Sequence, residues 1–159
     1  MAIKILKEVS RDGGRLPATG ATVIAGMAIE LATADTVQPF TAVATTSPLG
    51  LASDSNVYQP LQGAGGLTIG VGYDYTNFNR GGLIGAFLNG GAFELWNDST
   101  GNPFVLVPTT PYALNKALYA NNAGLITADA AGAMLVGYCM KIVNAGDASK
   151  MRLQIKLVI

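Results

Sequence analysis

The chain has 159 residues, is half hydrophobic and only 13% charged, and carries no net charge. That is apolar enough to build a core, too sparingly charged for a disordered chain, and long enough for one domain or one domain with an arm. The lack of any histidine removes the commonest general base and metal ligand, and a single cysteine excludes an intramolecular disulfide.

Charge is unevenly spread along the sequence. Residues 1–15 net +2, residues 16–140 net −5 and residues 141–159 net +3. Complementary patches on neighbouring subunits have this pattern, and so do ordinary solvated strand faces. The basic residues at each end are scattered rather than clustered, so no nucleic-acid partner is expected. No apolar stretch reaches membrane-spanning length, and Glu30 interrupts the run from Ala21 to Ala34, so no membrane partner is expected either. Glu8, Asp12 and Glu30 also break up a secretion-signal pattern, which leaves a protein expected to act where it is made or to be packed into an assembly there.

Twenty glycines and seven prolines favour short strands joined by turns. In chain order, residues 1–20 read as an arm: a short strand Lys4-Ile5-Leu6-Lys7-Glu8-Val9, then the turn-rich stretch from Arg11 to Gly20. Ala25 to Leu31 reads as a strand, Ala32 to Asp35 as a turn, and Val37 to Val43 as an extended run broken by Pro39. Leu49-Gly50-Leu51-Ala52 follows. Residues 53–83 are an irregular Gly- and aromatic-rich insertion, functional or flexible by its length. Leu83 to Leu88 and Ala92 to Trp96 flank Asn89-Gly90-Gly91, a hairpin signal. Asn97 to Asn102 is a further turn, Phe104 to Val107 a further strand, and Tyr112 to Tyr119 has mild helical spacing.

The C-terminal block is the clearest. Leu118-Tyr119 ends a strand, Asn121 to Gly124 turns, Leu125-Ile126-Thr127 pairs back, and Met134 to Val143 is a strand. After the turn Asn144-Ala145-Gly146-Asp147, the residues Lys150, Arg152, Gln154 and Lys156 alternate with Met151, Leu153, Ile155 and Leu157. One face of that strand is therefore wet and the other packed. Both halves of the chain share the order strand, polar turn, strand, small-residue loop, then apolar-apolar-Gly-apolar, which reads as a weak internal duplication, with chance similarity between short strands the rival explanation. The expected fold is mainly β, a small antiparallel barrel or sandwich spanning residues 21–159 behind the arm at 1–20.

No catalytic or cofactor signature emerges. Gly63, Gly65, Gly66, Gly70 and Gly72 miss both phosphate-loop patterns, and no nucleophile elbow or metal-ligand spacing occurs. Leu16-Pro17-Ala18-Thr19-Gly20 matches a sorting pentapeptide far from its required context, and Asn97-Asp98-Ser99 fits a glycosylation sequon without an export signal. Cys139 lies in an apolar run and reads as a packing residue. A non-enzymatic protein is expected, with no catalytic residue, metal or cofactor. The best binding candidates are Tyr73, Tyr75, Phe78 and Arg80 in the insertion, with Lys4 and Lys7 in the arm. Aromatic and Arg side chains dominate interface hot spots, although the same rings also suit an ordered loop's own core.

In Lys116-Ala117-Leu118-Tyr119, the turn to Gly124, Leu125-Ile126-Thr127, the Leu135-Val136-Gly137 step and the Ala145-Gly146-Asp147 turn, the chain resembles the structural cement, or decoration, proteins of tailed bacteriophage heads. Gly26 to Leu31 and Leu49-Gly50-Leu51-Ala52 resemble the same family's N-terminal half, while residues 53–110 depart from it. The resemblance implies a small β-barrel or β-sandwich, often trimeric, on the outside of the virion. There it would bind the major capsid protein and clamp adjacent copies, after synthesis in the host cytoplasm. The alternative is a carbohydrate- or host-surface-binding β module of a phage head fibre, since aromatic loops also serve sugar binding.

Overall fold

The computed structural model describes residues 3–7, 12, 14–42, 46–53, 83–88, 90–97, 105–107, 111–131, 133–145 and 151–159. Among these the fold is all β. The strands are β1 (Ile3–Lys7), β2 (Leu16–Pro17), β3 (Ala28–Leu31), β4 (Thr36–Pro39), β5 (Gly50–Ala52), β6 (Ala86–Phe87), β7 (Ala92–Trp96), β8 (Ala117–Ala120), β9 (Ile126–Thr127), β10 (Met134–Val143) and β11 (Arg152–Leu157).

They form two sheets. The six-stranded sheet runs β1-β7-β11-β10-β8-β9 and is antiparallel throughout. The five-stranded sheet runs β2-β4-β3-β5-β6, with only β2 and β4 parallel. The main core lies between the sheets. Phe93, Leu95, Leu118, Ile126, Leu153 and Ile155 come from the first, and Ala28, Leu51 and Phe87 from the second. The Phe87 and Phe93 rings meet across it with centroids 5.0 Å apart. A smaller cluster, Val23, Ile29, Val37, Ala52, Ile84 and Ala86, covers the other face of the five-stranded sheet. Because both faces of that sheet are buried, β5 and β6 are apolar runs without alternation. β11 is wet on one face and alternates as its sequence does, with burial switching at every residue.

Bulges curl the six-stranded sheet. β10 carries two, between Leu135 and Gly137 against β8 and between Cys139 and Lys141 against β11. Each inserts an extra residue and increases local twist, which wraps a ten-residue strand around the core. The result is the sandwich-like, partly barrel-shaped architecture that the alternation and turns predict.

Three local expectations change. The segments flanking Gly90 do not form a hairpin: β6 pairs with β5, whereas β7 pairs with β1 and β11. The turn is a corner between sheets, because Ala86 and Phe87 are both buried and each demands packing on its own side. The helical spacing at Tyr112 to Tyr119 is not realised. Ala117–Ala120 is strand β8, and the Tyr112 hydroxyl shares its one proton between the Ile126 carbonyl at 2.6 Å and the Val107 carbonyl at 3.0 Å. Of the expected strand at Phe104 to Val107, the described residues 105–107 carry a single bridge, from Leu106 to Ile126, and Asn97 rather than a second strand bonds the other edge of that segment.

The two halves are built alike. β3-β4-β5-β6 and β8-β9-β10-β11 both place their first strand between the second and third, with the fourth beyond the third. The registers correspond residue by residue. Glu30↔Gln38 matches Tyr119↔Thr127, Leu31↔Val37 matches Ala120↔Ile126, and Ala28↔Leu51 matches Ala117↔Tyr138. Ala52↔Ala86 matches Cys139↔Ile155. Each unit enters its first strand through a left-handed residue, Gly26 (φ 97°) or Asn115 (φ 60°). The amide of each donates across at 2.8 Å, to Ala52 and Cys139 respectively. The turns match as well, with Ala32 donating to Thr36 and Asn121 to Leu125, both at 3.0 Å.

Candidate interaction surface

Of the candidate residues, Tyr73, Tyr75, Phe78 and Arg80 lie outside the described residues, as does most of the insertion. Lys4 and Lys7 lie in β1, at an edge of the six-stranded sheet. Three residues apart, they would face opposite ways on a regular strand. A register shift between Ile5 and Lys7 changes this: Lys4 is opposite Glu94 and Lys7 opposite Ala92, two positions on one side of β7. Both lysines therefore stand on the outer face of the sheet, and Ile3 is left as the anchor in the core, 4% exposed.

Register extends this face across the sheet. Glu94 is opposite Gln154, which in turn is opposite Lys141. Ala92 is opposite Lys156, which is opposite Tyr138. Trp96 is opposite Arg152, whose guanidinium carbon stands 5.6 Å from the indole centroid. Glu94 is the acidic centre of the group. Gln154 donates to it at 3.0 Å and Arg152 at 3.3 Å. The Gln154 hydrogen bond and the Arg152 and Lys4 charges outweigh partial burial and hold its carboxyl below the ordinary glutamate range.

A second polar group lies at the rim between the sheets. Glu30 is 2% exposed, and its Oε1 accepts from Gln38 Nε2 at 2.8 Å and from Thr41 Oγ1 at 2.7 Å. Burial alone would raise its carboxyl. The hydrogen bonds from Thr41 and Gln38, with Thr46 adding to them, outweigh that and hold it below the ordinary range. Gln38 and Thr41 also line an open cleft with Thr19, Thr22 and Asn122. The sequence offered no sign of this cluster beyond an acid in an apolar strand.

Asn97, the first residue of the sequon, is also buried. Its Oδ1 accepts from the Val105 and Leu106 amides, at 2.9 and 2.8 Å, and its Nδ2 donates to the Leu106 carbonyl at 2.9 Å. The side chain replaces a strand partner for that segment. Cys139 is buried, as its apolar surroundings in the sequence predict, and burial pushes its thiol up. Among the described residues, no three His, Cys, Asp or Glu side chains are grouped to hold a metal ion.

No protein-family model matches the chain, and no curated protein matches it. Among solved structures, a chain of the capsid of Myoviridae phage XM1 shares its fold with a TM-score of 0.56 over 94% of this chain and 83% of that one, at 16% identity.

Proposed function

We propose that this chain is a non-enzymatic structural protein of a bacteriophage virion, which binds the outside of the capsid and clamps adjacent major capsid proteins. The observation that carries the reading is the fold shared with a chain of a phage capsid along nearly the whole length of the sequence. The decoration-type pattern in the C-terminal block narrows it from capsid-related to cement. In this reading residues 1–20, which include β1 and β2, engage a neighbour, and residues 21–159 form the β domain. The insertion at 53–83 presents Tyr73, Tyr75, Phe78 and Arg80 to the shell. The working unit is a trimer, made in the host cytoplasm and added to the capsid surface. Each contact is weak alone, and repetition over a shell makes the total large.

The test is co-sedimentation of the purified chain with shells of the phage that encodes it. Binding in a fixed ratio to the major capsid protein, with a rise in the shell's melting temperature, is the expected result. Failure to bind shells, together with retention on a glycan array, would instead select the carbohydrate-binding module.

A further inference from the structure

The two basic ends of the sequence converge on one surface. Lys4 and Lys7 from β1, Lys141 from β10, and Arg152 and Lys156 from β11 all lie on the outer face of the six-stranded sheet and are exposed. Glu94 is the one carboxylate among the described strand residues of that face, and Gln154 and Arg152 already engage it. Among the described residues, no ion pair engages Lys141 or Lys156.

The basic group continues into an apolar strip. Tyr138, directly opposite Lys156, is 43% exposed, and beside it lie Leu135 at 38% and Met140 at 50%. Tyr119, opposite Leu135, completes the strip on β8. The internal duplication shows what such a face does when covered. The positions equivalent to Ala117, Tyr138 and Lys156 in the first unit are Ala28, Leu51 and Phe87, all packed in the main core. The same face of the second unit is left open, with Tyr138 in place of Leu51 and Lys156 in place of Phe87. Large half-exposed apolar groups bordered by cations are the composition of a polar protein interface rather than of a solvated strand face.

We propose that this face is a docking surface for a partner protein whose contact surface is acidic. The inference rests on the capsid reading, and within it the partner is an acidic patch that this face requires on the outer surface of the shell. Charge selects the partner class. Pairing this face with itself across a twofold axis would oppose like charges, which disfavours a second copy in that arrangement. Nucleic acid is the other polyanion with a claim, but Glu94 sits at the centre of the cationic group, where a phosphate backbone would be repelled.

The experiment uses the full chain, shells of the encoding phage lacking it, and a 20-mer DNA duplex as a separate probe. Lys141→Glu with Lys156→Glu reverses two charges at exposed positions. Lys141→Gln with Lys156→Gln removes them without reversal, in case the first variant misfolds. Ala34→Glu, in the exposed β3–β4 turn, is the control. Shell affinity is expected to fall about tenfold or more for the Glu pair and less for the Gln pair, with the control unchanged and wild-type binding weakened by added salt. Tyr138→Ser should weaken binding without changing that salt dependence. Wild-type binding that both lysine pairs leave unaltered would overturn this face while sparing the capsid reading. Absence of wild-type shell binding would overturn both. Loss confined to the DNA duplex would make the surface a nucleic-acid site and overturn the acidic-protein assignment.

Discussion

Asn97 shows how one polar side chain can stand in for a strand. Two buried amides and a carbonyl on the segment 105–107 depend on it. Replacement with Ala leaves those buried groups without that partner, at about 1–3 kcal/mol for each unmade bond. We therefore expect Asn97→Ala to lose about 3 kcal/mol or more in urea unfolding; a loss under about 0.5 kcal/mol would mean that water replaces the side chain. Glu30 makes a different prediction, through pH. Its carboxyl is held low in the folded state, so the stability it contributes is complete above the ordinary glutamate range and disappears as pH falls through the lowered value. Glu30→Gln keeps the shape and removes the titration. The wild-type advantage at pH 7 is expected to shrink below about pH 4, and an advantage independent of pH would refute the assignment. Neither role was legible beforehand. A sequence shows that an Asn or Glu is present, but only the fold shows which amides and hydroxyls converge on it.

At the scale of the element, Gly50 and Gly137 occupy equivalent places in the two units, and for the same reason. A Cβ at Gly50 would come within 2.2 Å of the Phe87 carbonyl oxygen, and one at Gly137 within 2.2 Å of that of Lys156. Both contacts are with backbone of the next strand, which cannot move without opening the sheet. We expect Gly50→Ala and Gly137→Ala each to cost about 2 kcal/mol or more. Gly90→Ala meets no atom within 4 Å and pays only for its left-handed φ of 91°, about 1–2 kcal/mol. Equal losses at all three positions, by thermal unfolding, would remove the close-approach argument. Element existence was readable where one period dominated. The alternation in β11, which has one wet face, and the polar turn between β8 and β9 are the clearest cases. Partner choice was less readable. The Gly90 turn carries hairpin chemistry, yet its flanking strands separate, since turn residues specify a reversal and not the sheet each strand then joins. The basic face was hidden for a related reason. Lys4 and Lys7 share a side only because β1 bulges, and the other cations of the face, beyond β7, come from the opposite end of the chain.

At the scale of the whole molecule, the duplication locates the insertion. In the second unit the third and fourth strands are joined by residues 144–151; in the first unit the equivalent connection is residues 53–85. The extra length thus lies where the fold itself needs only a short turn. Its ends are already held together: the Ser53 amide donates to the Gly85 carbonyl at 2.8 Å, and Arg15 exchanges backbone bonds with Ile84 at 2.8 and 2.7 Å. Closing that pair with fewer residues lowers the entropy lost on folding, because closure cost rises with loop length. Replacing residues 54–82 with a short Asn-Gly turn is therefore expected to leave far-UV circular dichroism mainly β and the melting temperature equal or higher. Under the capsid reading the same change removes Tyr73, Tyr75, Phe78 and Arg80, so shell occupancy should fall. The finer variant, Tyr73→Ala with Phe78→Ala, should lower occupancy while leaving the free subunit's melting temperature within a few degrees. Two buried aromatics in a core would instead cost about 3–5 kcal/mol each, a loss visible in the isolated protein. An unfolded deletion variant would make the segment part of the domain's own core. A folded variant with full occupancy would assign shell binding elsewhere, with the outer face of the six-stranded sheet the next surface to test.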